Sequence, residues 1–379
     1  MKIAILTTDN REHFRTYDNP VPFFGTAPEA LLQGLAGIPE IEVHVVSCAR
    51  QVMRSPEKLA DNIWFHSLLA PKIGWMTTAY QGCIRVVRKK LAAIRPVIVH
   101  GQGTERECAI SSVFSGFPSV LTIHGNMRLI AQVTRARAFS YPWLAAQLEK
   151  VIIPRTRGVV CITRYTRDAV TDLNRKTWVV PNAVDAAFFK VPPEPENPRI
   201  ILCVGHVCVR KNQNAFIRSL DALAAGGPVK LVFLGGTPKN DPYVAEFLDL
   251  VSKRPWCESG FANRETLKDW LKRATLLALP SLEDNCPMVV LEAMAAGVPV
   301  LAANVGGLPD LVEDGVTGLF CDPLDPASMA AGVKKLLSSP DLARQLATTA
   351  KQRALDRYHP LVIARRHVEI YREVLSIPS

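Results

Sequence analysis

At 379 residues the chain is longer than one hydrophobic core usually organises, and the expectation is two domains of about 190 residues each. Hydrophobic residues make up 48% of it, yet no uninterrupted apolar run reaches the roughly 18 residues a bilayer-spanning helix needs, which excludes a membrane-spanning reading. The net charge of +10 is carried by residues 1–190, where 24 Lys+Arg face 14 Asp+Glu, while the remainder is balanced.

Such asymmetry draws an anionic surface, whether lipid headgroups, a phosphorylated acceptor or nucleic acid, or else it simply solubilises the domain. Nucleic acid has no recognisable binding motif here to support it, so no nucleic-acid partner is expected. Nine cysteines, at 48, 83, 108, 161, 203, 208, 257, 286 and 321, are scattered singly without a C-x2-C pair and read as reduced core thiols.

In chain order, "MKIAILTTDN" opens with one lysine and an apolar stretch too short for a secretory signal. It reads as a buried first strand, and a cytoplasmic protein is expected. Short β-branched runs follow: "EVHVV", "PVIVH", "SVLTI" and "GVVCI", then "RIILCVG", "VKLVFLG", "TLLALP" and "VPVLA". Most lack strict polar alternation, as strands covered on both faces should, and longer stretches of helical spacing separate them. Alternation of this kind implies βα units and parallel sheets. Between the two series lies "TWVVPNAVDAAFFKVPPEPENPR", whose prolines bar helix and central strand, so the linker is expected near 188–198. The chain closes on "HPLVIARRHVEIYREVLSI", an amphipathic helix after Pro360.

The most informative stretch is "SLEDNCPMVVLEAMAAG". It follows a predicted strand, Pro287 suits a first helical turn, and Gly297 terminates the helix. Asp284 then lies just before a helix N-terminus, and Glu292 about five residues inside, roughly 7 to 8 Å along the axis. One reading has Asp284 or Asn285 capping the helix and Glu292 on a solvated face. The other has Glu292 buried, because "MVVLEAMAA" is apolar nearly all round, and a buried carboxylate then needs a partner such as a ligand's hydroxyls.

"LPSLEDNCPMVVLEAMAAGVPVLAANVGGLPDLVEDGVTGLF" resembles the donor-site signature of the retaining glycosyltransferases of family 4. "VGHVCVRKN", "VVPNAVD" and "LTIHG" resemble further elements of that family, and the likeness runs from about residue 1 to 375. It implies an α/β chain of GT-B architecture, with two Rossmann-like parallel-sheet domains facing a cleft. Residues 1–190 would bind the acceptor, 191–358 the nucleotide-sugar donor, and 359–379 would form a helix returning to the first domain.

The same resemblance implies roles. Glu292 would take the donor ribose hydroxyls, Asp284 the hydroxyls of the donor sugar, and Asn285, Cys286, Pro287 and Met288 would line the loop beside it. Asp284 stands where the family most often has Glu, one methylene longer. Lys211, with Arg210 beside it, would face the leaving diphosphate, and His206 replaces a family arginine. Gly25 matches one glycine of a Gly-rich loop, His124 a histidine near the donor sugar, and Gly260 and Phe261 fall where the family builds its base pocket.

No Asp-x-Asp, no P-loop and no full dinucleotide fingerprint occur, so neither metal nor cofactor is expected beyond the nucleotide diphosphate sugar as donor substrate. The implied activity is metal-independent, retaining hexosyl transfer, with a UDP-sugar favoured over a GDP-sugar. The acceptor would be a sugar or lipid-linked hydroxyl in polysaccharide, lipopolysaccharide or glycolipid synthesis. "NIWFHSLLAPKIGWMTTAYQGCIRVVRKK" and "MRLIAQVTRARAFSYPWLAAQLEK" mix aromatic, leucine and basic residues as interfacial helices do, or else are core-facing stripes with basic outer faces. The first of these suggests peripheral attachment at the inner face of the plasma membrane. Transfer to a soluble sugar phosphate, phosphorolysis, and a non-catalytic binding subunit are the rival readings.

Overall fold

The computed structural model describes residues 1–71 and 75–376, so Lys72, Ile73 and Gly74 of the first interfacial stretch, and Ile377 of the closing helix, lie outside the described residues. The chain divides into two compact units, Met1–Ala183 with the chain from Pro360 onward, and Val184–His359.

Unit 1 is built on an eight-stranded sheet ordered β3-β4-β2-β1-β5-β6-β7-β8. Its strands are β1 (Lys2–Leu6), β2 (Glu42–Ala49), β3 (Lys58–Ala60), β4 (Ile63–Leu69), β5 (Ile98–Gln102), β6 (Ser119–Ile123), β7 (Val159–Cys161) and β8 (Thr177–Val179). All pair in parallel except β3, an antiparallel edge on β4. Alternate residues feed opposite faces. Ile3, Ile5, Val43 and Val45 pack under helices Thr26–Ala36 and Pro360–Leu375, while Ala4, Leu6, Val46 and Cys48 pack under helices Gln81–Ile94 and Glu107–Val113. This is why the strands read as continuous apolar runs.

The terminal helix Pro360–Leu375 belongs to this unit and lies against helix Thr26–Ala36, as expected. Gly34 makes that contact possible, since a Cβ there would sit 2.0 Å from the carbonyl oxygen of Pro360.

Unit 2 carries a six-stranded parallel sheet ordered β11-β10-β9-β12-β13-β14. Its strands are β9 (Arg199–Val204), β10 (Val229–Leu234), β11 (Cys257–Gly260), β12 (Leu276–Leu279), β13 (Val300–Ala303) and β14 (Leu319–Cys321). Ile200, Leu202, Leu277 and Val300 face helices Arg264–Arg273, Met288–Ala296 and Pro340–Tyr358; Ile201, Cys203, Leu276 and Leu301 face helices Gln213–Ser219, Pro242–Ser252 and Pro326–Ser338.

The stretch expected as a linker is packed onto unit 2. Phe188, on the 3-10 turn Ala186–Lys190, and Val191 enter its core. Beyond them Pro193 and Pro195 alternate with Glu194 and Glu196, whose amides donate to the carbonyls of Lys272 and Arg273 at 2.7 and 3.1 Å. Proline lacks a donor, so the alternation lets the strap bond on one side only.

Among the described residues every cysteine is a free thiol, with Cys208, Cys257 and Cys286 half-buried and the other six buried. No helix among them is long and apolar enough to cross a membrane. The apolar side of helix Gln81–Ile94 (Cys83, Ile84, Val87, Leu91, Ile94) is spent in the core, so of the two readings of that stretch its helix takes the core-facing one.

Candidate active site

In unit 2 the predicted donor residues gather at the carboxyl ends of the strands, the edge where parallel α/β sheets present loops and helix N-termini. After β12 the chain runs through Ser281 and Asp284 to helix Met288–Ala296, with Pro287 at the N-cap position and Gly297 closing the helix in the left-handed region at φ 78°. No side chain caps its start. The capping reading of Asp284 and Asn285 therefore gives way: Asp284 turns toward the 3-10 turn Val209–Lys211 that follows β9.

Asp284 is 7% exposed, and its carboxylate is well supplied with donors. Lys211 Nζ pairs with Oδ2. Ser281 Oγ donates to the same oxygen at 3.1 Å, the Asn285 amide donates to Oδ1 at 3.2 Å, and Arg210 approaches Oδ1 at 3.5 Å. Arg210 also donates to the Glu283 carbonyl at 3.0 Å and lies 3.5 Å from the Glu283 carboxylate. The Leu282 amide completes the junction by donating to the Arg210 carbonyl at 2.8 Å.

From behind, the Gly307 amide donates to the Asp284 carbonyl at 2.9 Å. Gly306, at φ 55°, has to be glycine because a Cβ would lie 2.0 Å from that oxygen. The arrangement concentrates two cations beside one buried carboxylate and fixes where they point.

Glu292 presents the opposite case. It is 2% exposed inside a helix whose every residue from Val289 to Ala296 is buried, and no described residue hydrogen-bonds to its carboxylate. Burial pushes its carboxyl up to about 7, with Arg264 opposing and Asp185 adding to the shift. Those two form a pair of their own at 3.5 Å, with the Arg264 guanidinium 5.7 Å from the Phe188 ring. The solvated-face reading of Glu292 is thereby overturned: an apolar helix wedged between sheet and Pro340–Tyr358 has no solvated face to offer.

The remaining predicted residues of unit 2 lie on loops of the same edge. His206 follows the end of β9, is exposed, and abuts Gly236, where an added Cβ would meet its Nδ1 at 2.6 Å. Gly260 ends β11 and accepts from the Gly235 amide at 2.9 Å. Phe261, next in the chain, is 77% exposed, a ring with little of its apolar surface covered by the protein. Cys286 and Met288 are half-buried beside Asn285; Pro287 is buried and has no N–H to contribute.

Unit 1 holds the other two. Gly25 is the N-cap of helix Thr26–Ala36 at φ 89°. His124 follows β6, its Nε2 donating to Gln102 Oε1 at 2.8 Å, and its ring also bonds Asn182. Burial and then His367 push its imidazole down to about 4, against the Asn182 bond, so the ring is neutral. Behind it Gln102 reaches His100, which in turn bonds Thr122 at 2.7 Å and the Tyr371 hydroxyl at 2.6 Å from the terminal helix. The half-buried imidazole joins a polar network of unit 1 whose other members are buried.

Three participants went unread in the sequence. Ser281 sits in the quoted stretch, but a serine after a strand ordinarily marks a turn. Arg264 and Asp185 are far apart in sequence and meet near Glu292 only through the fold. The "VVPNAVD" motif held the one available signal, in its final aspartate.

Comparison with known proteins bears on this geometry. Residues 184–353 match the profile described as "Glycosyl transferases group 1", and residues 29–188 match that of "Glycosyltransferase Family 4". An uncharacterized glycosyltransferase of Methanocaldococcus jannaschii is 30% identical over 182 residues, 48% of this chain and 47% of that relative, so the match spans about half the relative's length. An alpha-maltose-1-phosphate synthase of Mycolicibacterium smegmatis is 28% identical over 305 residues, 70% of this chain and 75% of its own. Among solved structures, a sucrose-phosphate synthase of Thermosynechococcus elongatus superposes with a TM-score of 0.78 at 20% identity, covering 99% of both chains. The HepE protein of Anabaena, solved with UDP-glucose, does so with a TM-score of 0.72 at 17% identity, covering 98% of this chain and 100% of its own. At such identities the two structures speak for the fold.

Proposed function

The chain belongs to the family 4 glycosyltransferases, a retaining family of GT-B fold that draws on nucleotide sugars, and from that premise we propose that it moves a hexosyl group from a nucleotide diphosphate sugar to an acceptor hydroxyl. UDP is favoured as the nucleotide, in keeping with the UDP-glucose bound to HepE. The observation that carries the reading is Glu292, a buried carboxylate with no hydrogen bond from any described residue, at the strand edge where Lys211 and Arg210 also lie. Two vicinal ribose hydroxyls supply the donors it lacks.

The chemistry follows from these groups. The acceptor oxygen attacks the anomeric carbon on the face the diphosphate leaves, the bond from that carbon to the diphosphate oxygen breaks, and a phosphate oxygen takes the acceptor's proton. Negative charge gathers on the departing diphosphate, so fixed cations lower the barrier. Lys211 and Arg210 provide them, and His206 adds one hydrogen bond where a guanidinium would give a fork. Asp284, whose oxygens are already occupied, holds the two cations in place, and a sugar hydroxyl that reached it would share them. Cys286 and Met288 lie on the same loop, while Phe261 with Gly260 gives the base an uncovered ring to lie against. In unit 1, as the family resemblance implies, His124 would lie near the donor sugar and Gly25 near the donor phosphates or the acceptor.

The acceptor is presented at a membrane surface, in polysaccharide, lipopolysaccharide or glycolipid synthesis. Support comes from the +10 charge of the first half and from residues 130–139, where Ile130, Val133 and Phe139 are exposed among Arg135 and Arg137. Sedimentation with anionic liposomes at low salt tests this, and protein left in the supernatant rejects it. A soluble sugar phosphate as acceptor is the second reading, favoured by the name of the mycolicibacterial relative.

The donor reading is tested by thermal stabilisation with UDP, GDP, ADP and CDP, on wild type and on Glu292→Ala. One nucleotide should raise the melting temperature of the wild type and not of the variant. No shift with any nucleotide would favour a non-catalytic binding subunit.

A further inference from the structure

Unit 2 has a second cavity, at the opposite edge of its sheet from the donor residues. Arg199 opens β9, Thr275 precedes β12 and Pro299 precedes β13, and all three line it, which places it at the amino ends of the strands. Helix Pro340–Tyr358 forms one wall and the strap through Pro193 and Pro195 another. Its volume of about 860 Å³ is that of a small-molecule site.

The lining decides the ligand's chemistry. Leu336, Leu337, Ala343, Ala347 and Leu355 make it aliphatic, and Phe189, its one aromatic ring, is already packed against His359, so a planar base has little to stack on. Among the described residues no carboxylate lines it, while Arg199, Arg344 and Lys351 do. Arg199 is spent on the Leu337 carbonyl at 2.8 Å, and Arg344 pairs with Asp341 at 3.0 Å. Lys351, half-buried beside Gly297, has no hydrogen bond or ion pair with any described residue. The Thr275 hydroxyl is buried without a partner as well.

The geometry points to a binding site for a long-chain carboxylate, its acyl chain along the leucines and its head on Lys351. An aliphatic trough desolvates the chain, and an unpaired ammonium at its rim attracts the one charge such a ligand carries.

The test uses the full chain and the fluorescent fatty acid cis-parinaric acid, titrated below its micellar concentration, with palmitate and hexadecanol as competitors. Saturable binding is expected, with palmitate displacing the probe at least tenfold more effectively than hexadecanol. Ala347→Trp, which fills the trough, should weaken binding at least tenfold, and the surface change Lys351→Glu severalfold, while both variants keep the wild-type response to UDP. Absence of saturable binding, equal competition by the alcohol, or unchanged affinity in Lys351→Glu would each overturn the assignment.

Discussion

In unit 1 the imidazole of His124 is ringed by groups that satisfy it, Gln102 and Asn182 directly and His100, Thr122 and Tyr371 behind them. In unit 2 the carboxylate of Glu292 is buried inside a helix and receives no hydrogen bond from the described chain. Burial shifts both, the imidazole down to about 4 and the carboxyl up to about 7, so a perturbed pKa alone does not separate them. What separates them is satisfaction. His124 with its partners in place serves the fold, whereas Glu292, without them at the strand edge where Lys211 and Arg210 lie, invites a ligand.

The largest effect is expected at Lys211. Its loss in Lys211→Ala removes a fixed cation from the departing diphosphate and should lower kcat by about 10² to 10³-fold. Steady-state kinetics against wild type checks this, and a change under fivefold would move the diphosphate away from this turn.

Glu292→Ala should weaken nucleotide binding by about 10 to 100-fold, the value of one hydrogen bond to a charged group. Its pH dependence sharpens the point. Because the folded-state pKa is raised from 4.5 to about 7, the stability tied to this group is present below pH 4.5 and lost as pH rises through about 7. The ligand-free Glu292→Gln protein should therefore melt above wild type at pH 8, with the gap closing toward pH 5. UDP affinity of the wild type should run the other way, falling severalfold from pH 8 to pH 6 as the carboxylate is protonated, and more steeply than in Glu292→Gln, where only the terminal phosphate of UDP still titrates.

Phe261→Ala should cost about 2 to 10-fold in nucleotide affinity with no change in melting temperature, since the exposed ring supports little of the fold. Calorimetry alongside a thermal melt separates the two. The smallest effect on nucleotide binding belongs to His124→Ala, expected to hold UDP affinity within twofold while lowering the melting temperature by several degrees. A loss of UDP affinity as large as that of Glu292→Ala would erase the contrast between the units.

Much of this was legible in the sequence. The β-branched runs without polar alternation announce strands covered on both sides, and helix Met288–Ala296 is apolar nearly all round, which makes burial of Glu292 one of its two readings. The edge elements β3, β8, β11 and β14 escape such a reading, because three or four residues give no periodicity to detect, and β4 escapes it because Trp64, Phe65 and His66 beside two leucines read as part of an interfacial stretch, whereas the structure pairs them in the sheet. Partnerships were not legible at all. Asp284 reads identically whether it caps a helix, binds a sugar or clamps Lys211, and only the return of the 209–211 turn to the 281–284 loop decides among them. The segment near 188–198 reads as a linker for a similar reason: prolines signal the absence of helix but not what the intervening amides bond to.

The central claim is that Glu292 takes the ribose hydroxyls. Calorimetry with UDP and with its 2′,3′-dideoxy analogue, on wild type and on Glu292→Ala, tests it most directly. The account predicts that wild type binds UDP at least tenfold more tightly than the analogue and that Glu292→Ala binds the two alike. Equal affinities in the wild type, or a preference for UDP that survives in the variant, would contradict it.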